Sequence, residues 1–569
     1  MSAFADIWIG SVAPVHSRYG KGWHRKDVGY WYAGDAQSDW YYELETQRHT
    51  MVVVGQLYEE VDMQALLESC VNYATKKADV YKDPAGHYII FITDKQEGNK
   101  YVYTNRFGTY HAYWSSAAKL ISTYYLGLAK TAGNKKLNWE GIAGFFSSGY
   151  FPGDTTYLED VYIFSPASCY YFDAQYTLVD KRRYWQWEQP REKHVDAGQI
   201  LKDVLVKSIA YAVKDKRVAV PVSGGLDSRL LAGVFNTIPT ASYKTAWGFT
   251  YGYAKGSQEI AIGGKICEAL QMPCKKKQVN NYLFDDMTTI ADSVELFQYV
   301  DGTRQACMQH ELNEDADIVI GGHWGDVWMD AAIEEDNVET ALDEFYNKKV
   351  VKKGSSWLMQ HVCKPYIANA AEVLRARYNN EIQQYKHLEN AGNIVKAYKT
   401  DTWSFRWTMA SVRMYQAGAM PVLPFYDNRV TDILWSVPAT ELNQRQFEIE
   451  FIKTNFPKLA AVKWQEYDAN LYNYRYFNNR NYLYRLIDKV KRMVAGERIS
   501  RNWELFYLSE RGRKELELIL KEPVLTDIVP VSEIDDLLHQ FYSSPSAANG
   551  YTISMLHTFA RFLKQLYGN

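Results

Sequence analysis

Between Val218 and Phe235 the chain reads V-A-V-P-V-S-G-G-L-D-S-R-L-L-A-G-V-F, and this stretch admits few folds. Val218, Ala219, Val220 and Val222 form a short apolar run bounded by turn residues, the pattern of a buried strand. Ser223, Gly224 and Gly225 make a tight turn, and Leu226 to Phe235 has helical spacing with Leu230, Leu231 and Val234 on one face. Strand, glycine turn and helix in that order aim backbone N–H groups and a helix N-terminus at one point, which suits an anion. Two glycines allow close approach of phosphate, and Ser223 and Ser228 add hydroxyl donors. A carboxylate beside bound phosphates repels them unless a cation intervenes, so Asp227 reads as a magnesium ligand. No lysine follows the glycines, so this is not the G-x-x-x-x-G-K-[ST] loop.

The 569 residues have room for about two to four domains. A net charge of -3 gives no argument for a polyanion partner, and the many aromatics are not interleaved with arginine as a nucleic-acid platform would be. The six cysteines are scattered without a C-x-x-C pair, which points to free buried thiols and not to zinc. With no signal peptide and no long apolar run, the expectation is a soluble cytoplasmic protein with neither a nucleic-acid nor a membrane partner.

Residues 1–190 are β-rich, with strands predicted at Met51 to Leu57, Tyr88 to Thr93 and Tyr101 to Thr104. Residues 195–470 read as α/β. An amphipathic helix over Lys202 to Val213 leads into the Val218 strand, Lys244 to Thr250 is a second strand, and Glu259 to Leu270 a helix. Asp317 to Ile320 is a third strand, running into Gly321-Gly322-His323-Trp324-Gly325-Asp326-Val327-Trp328. A glycine-rich loop at a strand's carboxyl end is where open α/β sheets bind ligands. Glu334-Glu335-Asp336 and Lys348-Lys349-Val350-Val351-Lys352-Lys353 read as solvated surface, and Thr402 to Met414 as a buried helix. Residues 471–569 are read as a mostly helical extension, with Leu483 to Val494 and Tyr551 to Leu566 periodic.

Ser223 to Ser228 resembles the S-G-G-x-D-S pyrophosphate loop of the ATP pyrophosphatase superfamily. Taken with the N-terminal segments, the chain from 1 to about 470 resembles asparagine synthetase B. Val54-Gly55-Gln56-Leu57-Tyr58 is similar to that family's Asn-Gly-Glu-Ile-Tyr. Asn105-Arg106-Phe107-Gly108 is similar to its Asp-Arg-Phe-Gly, Gly321 to Asp326 to its Ser-Gly-x-Gly-Ala-Asp, and Pro424-Phe425-Tyr426-Asp427 to its Pro-Phe-Leu-Asp. The resemblance implies an Ntn-type αββα sandwich followed by an adenine-nucleotide α-hydrolase-like parallel-sheet domain and the helical extension. It implies ATP and Mg²⁺ as cofactors. ATP would be held by Val222, Ser223, Gly224, Gly225, Asp227, Ser228, Gly321, Gly322 and the backbone near Trp247, and the metal by Asp227 and Asp326. Lys463 is the candidate for the family's lysine that stabilises the adenylation transition state, with Lys453 as the alternative.

The departures point away from glutamine and aspartate. Ser2 stands where the family's glutaminase has its nucleophilic cysteine, Val54 where it has the oxyanion-hole asparagine, and Ala85 near its glutamine-binding aspartate. On the acceptor side Val327 replaces a glutamate, Trp324 a glycine, and Met420 and Val422 a Glu-x-Arg pair. The resemblance thus implies an AMP-forming carbon–nitrogen ligase with an inactive glutaminase domain. It would act on a small-molecule, peptide or sugar carboxylate, and a homodimer is compatible with it. The alternative is a catalytically silent binding or scaffold protein on the same fold.

Overall fold

The structure is a computed structural model and describes residues 3–27, 29–34, 39–192, 195–253, 257–279, 282–331, 333, 337–477 and 501–568. The N-terminal region contains β1 (Asp6–Gly10), β2 (His24–Asp27), β3 (Tyr30–Ala33), β4 (Tyr41–Glu45), β5 (His49–Leu57), β6 (Gly86–Asp94), β7 (Lys100–Thr104), β8 (Tyr113–Ser115), β9 (Leu120–Ser122), β10 (Tyr162–Ile163), β11 (Ser168–Phe172) and β12 (Leu178–Arg183). They form two antiparallel sheets, ordered β10-β8-β9-β1-β3-β2 and β12-β11-β7-β6-β5-β4. Alternation along β5 shows why the sheets stack. Val52 and Val54 pack with Ile7, Ile9 and Ile121 of the first sheet, while Met51 and Val53 pack with Leu66, Leu67 and Cys70 of the helix Met63–Ala74 on the outer face. The three predicted strands fall within β5, β6 and β7.

After the helix Ala197–Val213 comes a five-stranded sheet, and every pairing in it is parallel. Its strands are β13 (Arg217–Pro221), β14 (Thr245–Gly252), β15 (Cys274–Gln278), β16 (Ile318–Ile320) and β17 (Met420–Val422), ordered β15-β14-β13-β16-β17. The chain winds outward in one direction from β13 to β15, then returns to the other side of β13 with β16. The order therefore reverses between β13 and β16, and ligands of open α/β sheets sit in the crevice at such a reversal.

The C-terminal helix Ala547–Tyr567 buries Ile553, Leu556, Phe559, Phe562 and Leu563, as its periodicity predicts. It is not a separate appendage. Phe562 stacks on Tyr157 at 3.8 Å between ring centroids, and Tyr551 donates to the carbonyl of Phe146. The predicted helix Leu483 to Val494 and the acidic run 334–336 lie outside the described residues. A buried ionic network also ties the N-terminal region to the α/β region: Arg18 pairs with Asp6 and Glu295, and Glu295 in turn pairs with Arg413. All six cysteines are free, five buried and Cys274 half-buried. Among the described residues no helix is long and apolar enough to cross a membrane.

Candidate active site

The two loops that the sequence singles out leave adjacent strands on either side of the reversal point. The first follows β13 and opens the helix Asp227–Phe235, whose N-terminus carries no side-chain cap. Its turn is held by its own serines: the Ser223 N–H donates to Ser228 Oγ (3.1 Å), the two hydroxyls bond each other (2.9 Å), and Gly225 N–H donates to Ser223 Oγ (3.2 Å). Val222 is buried and anchors the turn to β14 through a 2.8 Å bond to the Phe249 carbonyl.

The second loop follows β16 and meets the first through its glycines. A Cβ at Gly322 would lie 3.3 Å from the Ser228 amide nitrogen, and one at Gly325 would lie 2.9 Å from the Asp227 carboxylate. Gly321 is tied to β17 by a bond to the Val422 carbonyl. Trp324 holds a left-handed backbone (φ 74°), a conformation that costs a non-glycine residue about 1 kcal/mol or more.

Support for this second loop comes from the two remaining motifs. Phe425 presses its ring against Gly325, at 2.7 Å from where a Cβ would stand. Asp427 accepts from Ser208 Oγ (2.6 Å) and Arg429 (2.7 Å) and caps the helix Asn428–Ser436. Phe107 of the Asn105 to Gly108 motif packs edge-on against Trp328 and Tyr426 at about 6 Å. The N-terminal motif therefore buttresses the segment carrying Asp326.

Asp227 faces two more acids and one cation that the sequence did not reveal. Arg445 pairs with both Asp227 and Glu448, and Asp326 acts on all three. Burial, the Glu448 charge and Asp326 push the Asp227 carboxyl well above its ordinary range, while Arg445 opposes them. Burial likewise raises Glu448, again against Arg445. Arg445 is the only cation paired with Glu448 among the described residues. Arg445 and its neighbour Gln444 both have left-handed backbones (φ 61° and 52°), so this cation is presented from a strained turn. No sequence pattern marks Asn443-Gln444-Arg445, which is why reasoning from motifs missed it.

Among the described residues no three His, Cys, Asp or Glu side chains are gathered closely enough to hold a metal by themselves. The donor set fits a magnesium ion only as a shared ligand. That ion is usually bound through one or two carboxylates plus substrate phosphates, and Asp227 and Asp326 supply the two. That Asp227 already takes a cation, the Arg445 guanidinium, shows the charge its surroundings ask for.

Other residues singled out in the sequence take positions set by packing. Trp247 is paired with Ala219 in mid-sheet, two positions short of the Pro221–Phe249 pair, and its indole donates to the Asp315 carbonyl before β16 begins. It thus faces the amino edge of the sheet, and Thr250 and Tyr251 are the β14 residues at the loop edge. Met420 and Val422 are fully buried in β17 and line no cavity, because their side chains belong to the sheet's core. Trp324 is buried with its indole N–H on Thr400 Oγ1 (3.1 Å), so its ring is fixed against the segment carrying Thr400. Val54 lies in the core between the antiparallel sheets, Ala85 is buried, and Ser2 lies outside the described residues.

Lys463 pairs with Asp468, and its carbonyl accepts from Arg229, which also holds the carbonyls of Leu459 and Val462. Two residues on, Gln465 packs against Gly224, where a Cβ would meet its side chain at 2.2 Å. The segment bearing Lys463 therefore lies over the phosphate-type loop. Lys453 pairs with Glu450 on its own helix.

Beside these loops opens a cavity of about 880 Å³. Asp326, Val327, Asp330 and Arg445 line it together with Trp464, Tyr467, Trp403 and the lysines Lys348, Lys349 and Lys399. The loop Ser223 to Ser228 does not line it, since Gln465 and Arg445 stand on Gly224 and Asp227. The basic run at 348–353 is thus not wholly solvated surface. No family model matches this chain, and no curated protein matches it.

Proposed function

We propose that the chain is an ATP-dependent ligase of the asparagine synthetase type, which adenylates a carboxylate with release of pyrophosphate and passes it to a nitrogen nucleophile. The observation that carries this reading is the convergence at the strand-order reversal: Gly325 lies so close to Asp227 that only the missing side chain leaves room for the carboxylate. In this reading the parallel sheet is a pyrophosphate-loop domain and the paired antiparallel sheets are an Ntn-type sandwich. The open N-terminus of the helix Asp227–Phe235 and the Ser223 to Ser228 turn would bind and orient the phosphates. Asp227 and Asp326 would hold magnesium, which supplies charge neutralisation as pyrophosphate departs. Arg445 would move from Asp227 toward the phosphates, and Lys463, on the segment covering the loop, would add positive charge there.

The nitrogen donor in this reading is not glutamine. Val54 is in the core and offers no donor to an oxyanion, and the ionic network of Arg18, Glu295 and Arg413 fills the junction between the two regions. Val327 lines the cavity with methyl groups where the resembled family has a carboxylate, which disfavours free aspartate. One observation favours the silent-scaffold alternative: Gln465 and Arg445 cover the loop.

ATP–pyrophosphate exchange against a panel of amino acids, uronic acids and peptides separates the two. Exchange with any of them, giving AMP and pyrophosphate, supports the ligase. Products of ADP and orthophosphate contradict it, and an absence of nucleotide binding favours the scaffold.

A further inference from the structure

Among the described residues, part of the cavity lining carries positive charge that no ion pair answers. Lys349 and Lys399 line it, and Lys352 stands behind Trp403 with its ammonium 4.3 Å from the centre of the indole. Lys399 lies between two indoles, 5.8 Å from Trp403 and 5.5 Å from Trp324. Lys352 also donates to the Lys349 carbonyl (2.8 Å), and Lys352 and Lys399 share the Trp403 ring. None of the three forms an ion pair with a described residue, and Glu344, the nearest acid on that wall, is taken by Lys348. Asp326 and Asp330 oppose the lowering of Lys399 by their charge without forming an ion pair with it.

The backbone of this wall is unusual too. Lys348 and Lys349 sit in a π-helical turn, Tyr346–Val350, and Trp403 in another, Thr400–Thr408. Such turns are rare and frequent at functional sites. Burial pulls Lys352 down to about 8, with the Lys349 and Lys399 charges adding, and burial also lowers Lys399. An anion placed among them would relieve that repulsion.

We propose that Lys349 and Lys399, which line the cavity, form an anion subsite with Lys352 adding positive charge from beside Trp403, and that it takes a second anionic group of the substrate besides the carboxylate that reacts. This rests on the reading that the cavity holds the acceptor. The fixed chemistry is a carboxylate, sulfate or phosphate on a compact ring or chain. The aromatic side chains Trp403, Trp464 and Tyr467 give the cavity apolar surface for the body that carries it.

The test is calorimetric titration of the full chain with benzoate, isophthalate, 3-sulfobenzoate and 3-phosphonobenzoate, with magnesium and α,β-methylene-ATP present. The dianions should bind roughly tenfold or more tighter than benzoate, and their ranking identifies the anion preferred. Lys399→Gln and Lys349→Gln should each reduce that preference several-fold while leaving benzoate and nucleotide affinity unchanged. Lys349 is exposed, so its variant tests the idea even where Lys399→Gln fails to fold. Equal affinity for benzoate and the dianions, or no measurable binding of any dianion, overturns the subsite. A loss of nucleotide affinity in step with the dianions also overturns it. Lysine-dependent dianion binding without nucleotide binding would instead retain the subsite and remove the ligase reading.

Discussion

Arg445 sets its guanidinium on the carboxylate of Asp227, 218 residues earlier in the chain, and is the only cation paired with it among the described residues. Asp227, Glu448 and Asp326 otherwise face one another, so the site as folded depends on this pair.

Replacing Arg445 by Met should therefore destabilise the protein by about 3 kcal/mol near neutral pH, the lower end of the range for breaking a buried pair, since Asp227 keeps 22% of its side chain accessible. The loss should grow as pH rises. Without the arginine the carboxylates escape only by protonation, so their folded pKa values rise further and the native state binds the extra protons at low pH. Urea unfolding across pH, with and without magnesium, checks this. Magnesium should restore stability to the variant more than it adds to wild type, and a variant as stable as wild type at every pH would contradict the role given to Arg445.

The two glycines Gly325 and Gly225 should respond differently to alanine. At Gly325 a Cβ meets the Phe425 ring at 2.7 Å and Asp227 at 2.9 Å, so Gly325→Ala should cost about 1–3 kcal/mol. At Gly225 the nearest atom is Ser223 Oγ at 3.4 Å, so stability should change by about 0.5 kcal/mol or less. If phosphate approaches the backbone there, Gly225→Ala should nonetheless weaken nucleotide binding. Denaturation midpoints and nucleotide titrations of both variants measure the contrast.

The elements that repeat a local rule were legible from sequence. The apolar, β-branched and aromatic runs between polar turns mark β5 to β7, the strand–glycine–helix pattern marks β13 and its loop, and the period of Tyr551 to Leu566 marks the last helix. What motifs could not give was depth and direction. Trp247 lies on the predicted strand with its indole toward the amino edge, because position along a parallel strand is set by register with β13 and not by composition. Met420 and Val422 look like altered pocket residues until β17 puts them in the core. Arg445, Glu448 and Gln465 reach the site through tertiary packing alone. The basic run at 348–353 reads as surface because its partner wall, Lys399 and Trp403, lies some fifty residues away, a distance of ~50 positions that periodicity cannot bridge.

Lys396 is buried with its ammonium on the Trp328 carbonyl, and burial pulls it down to about 7, with Lys399 adding and Asp330 opposing. An unfolded lysine holds its proton to a higher pH, so between about 7 and about 10.4 the unfolded chain binds more protons and the burden of this lysine on stability is relieved as pH rises. Relative to wild type, Lys396→Met should thus gain most below pH about 7, and that advantage should fade as the medium becomes alkaline. Unfolding free energies of the two proteins at acidic and alkaline pH give the comparison; a difference independent of pH would contradict it.

Val327 lines the cavity next to Asp326. An ammonium brought there finds methyl groups, and losing one charged partner costs about 2–5 kcal/mol of binding. Free aspartate should therefore support little pyrophosphate exchange, and Val327→Glu should raise it by roughly tenfold or more. Brisk exchange with aspartate in the wild type, unchanged in the variant, would show that another residue receives the ammonium.

The central claim is that the Ser223 to Ser228 loop and Asp227 hold the phosphates of a magnesium nucleotide. Calorimetric titration of the wild type and Asp227→Ala with magnesium α,β-methylene-ATP tests it most directly. The account predicts binding between about 1 μM and 1 mM, dependent on magnesium and weakened at least about tenfold in the variant. No binding to the wild type, or magnesium-dependent binding that survives intact in Asp227→Ala, would contradict it.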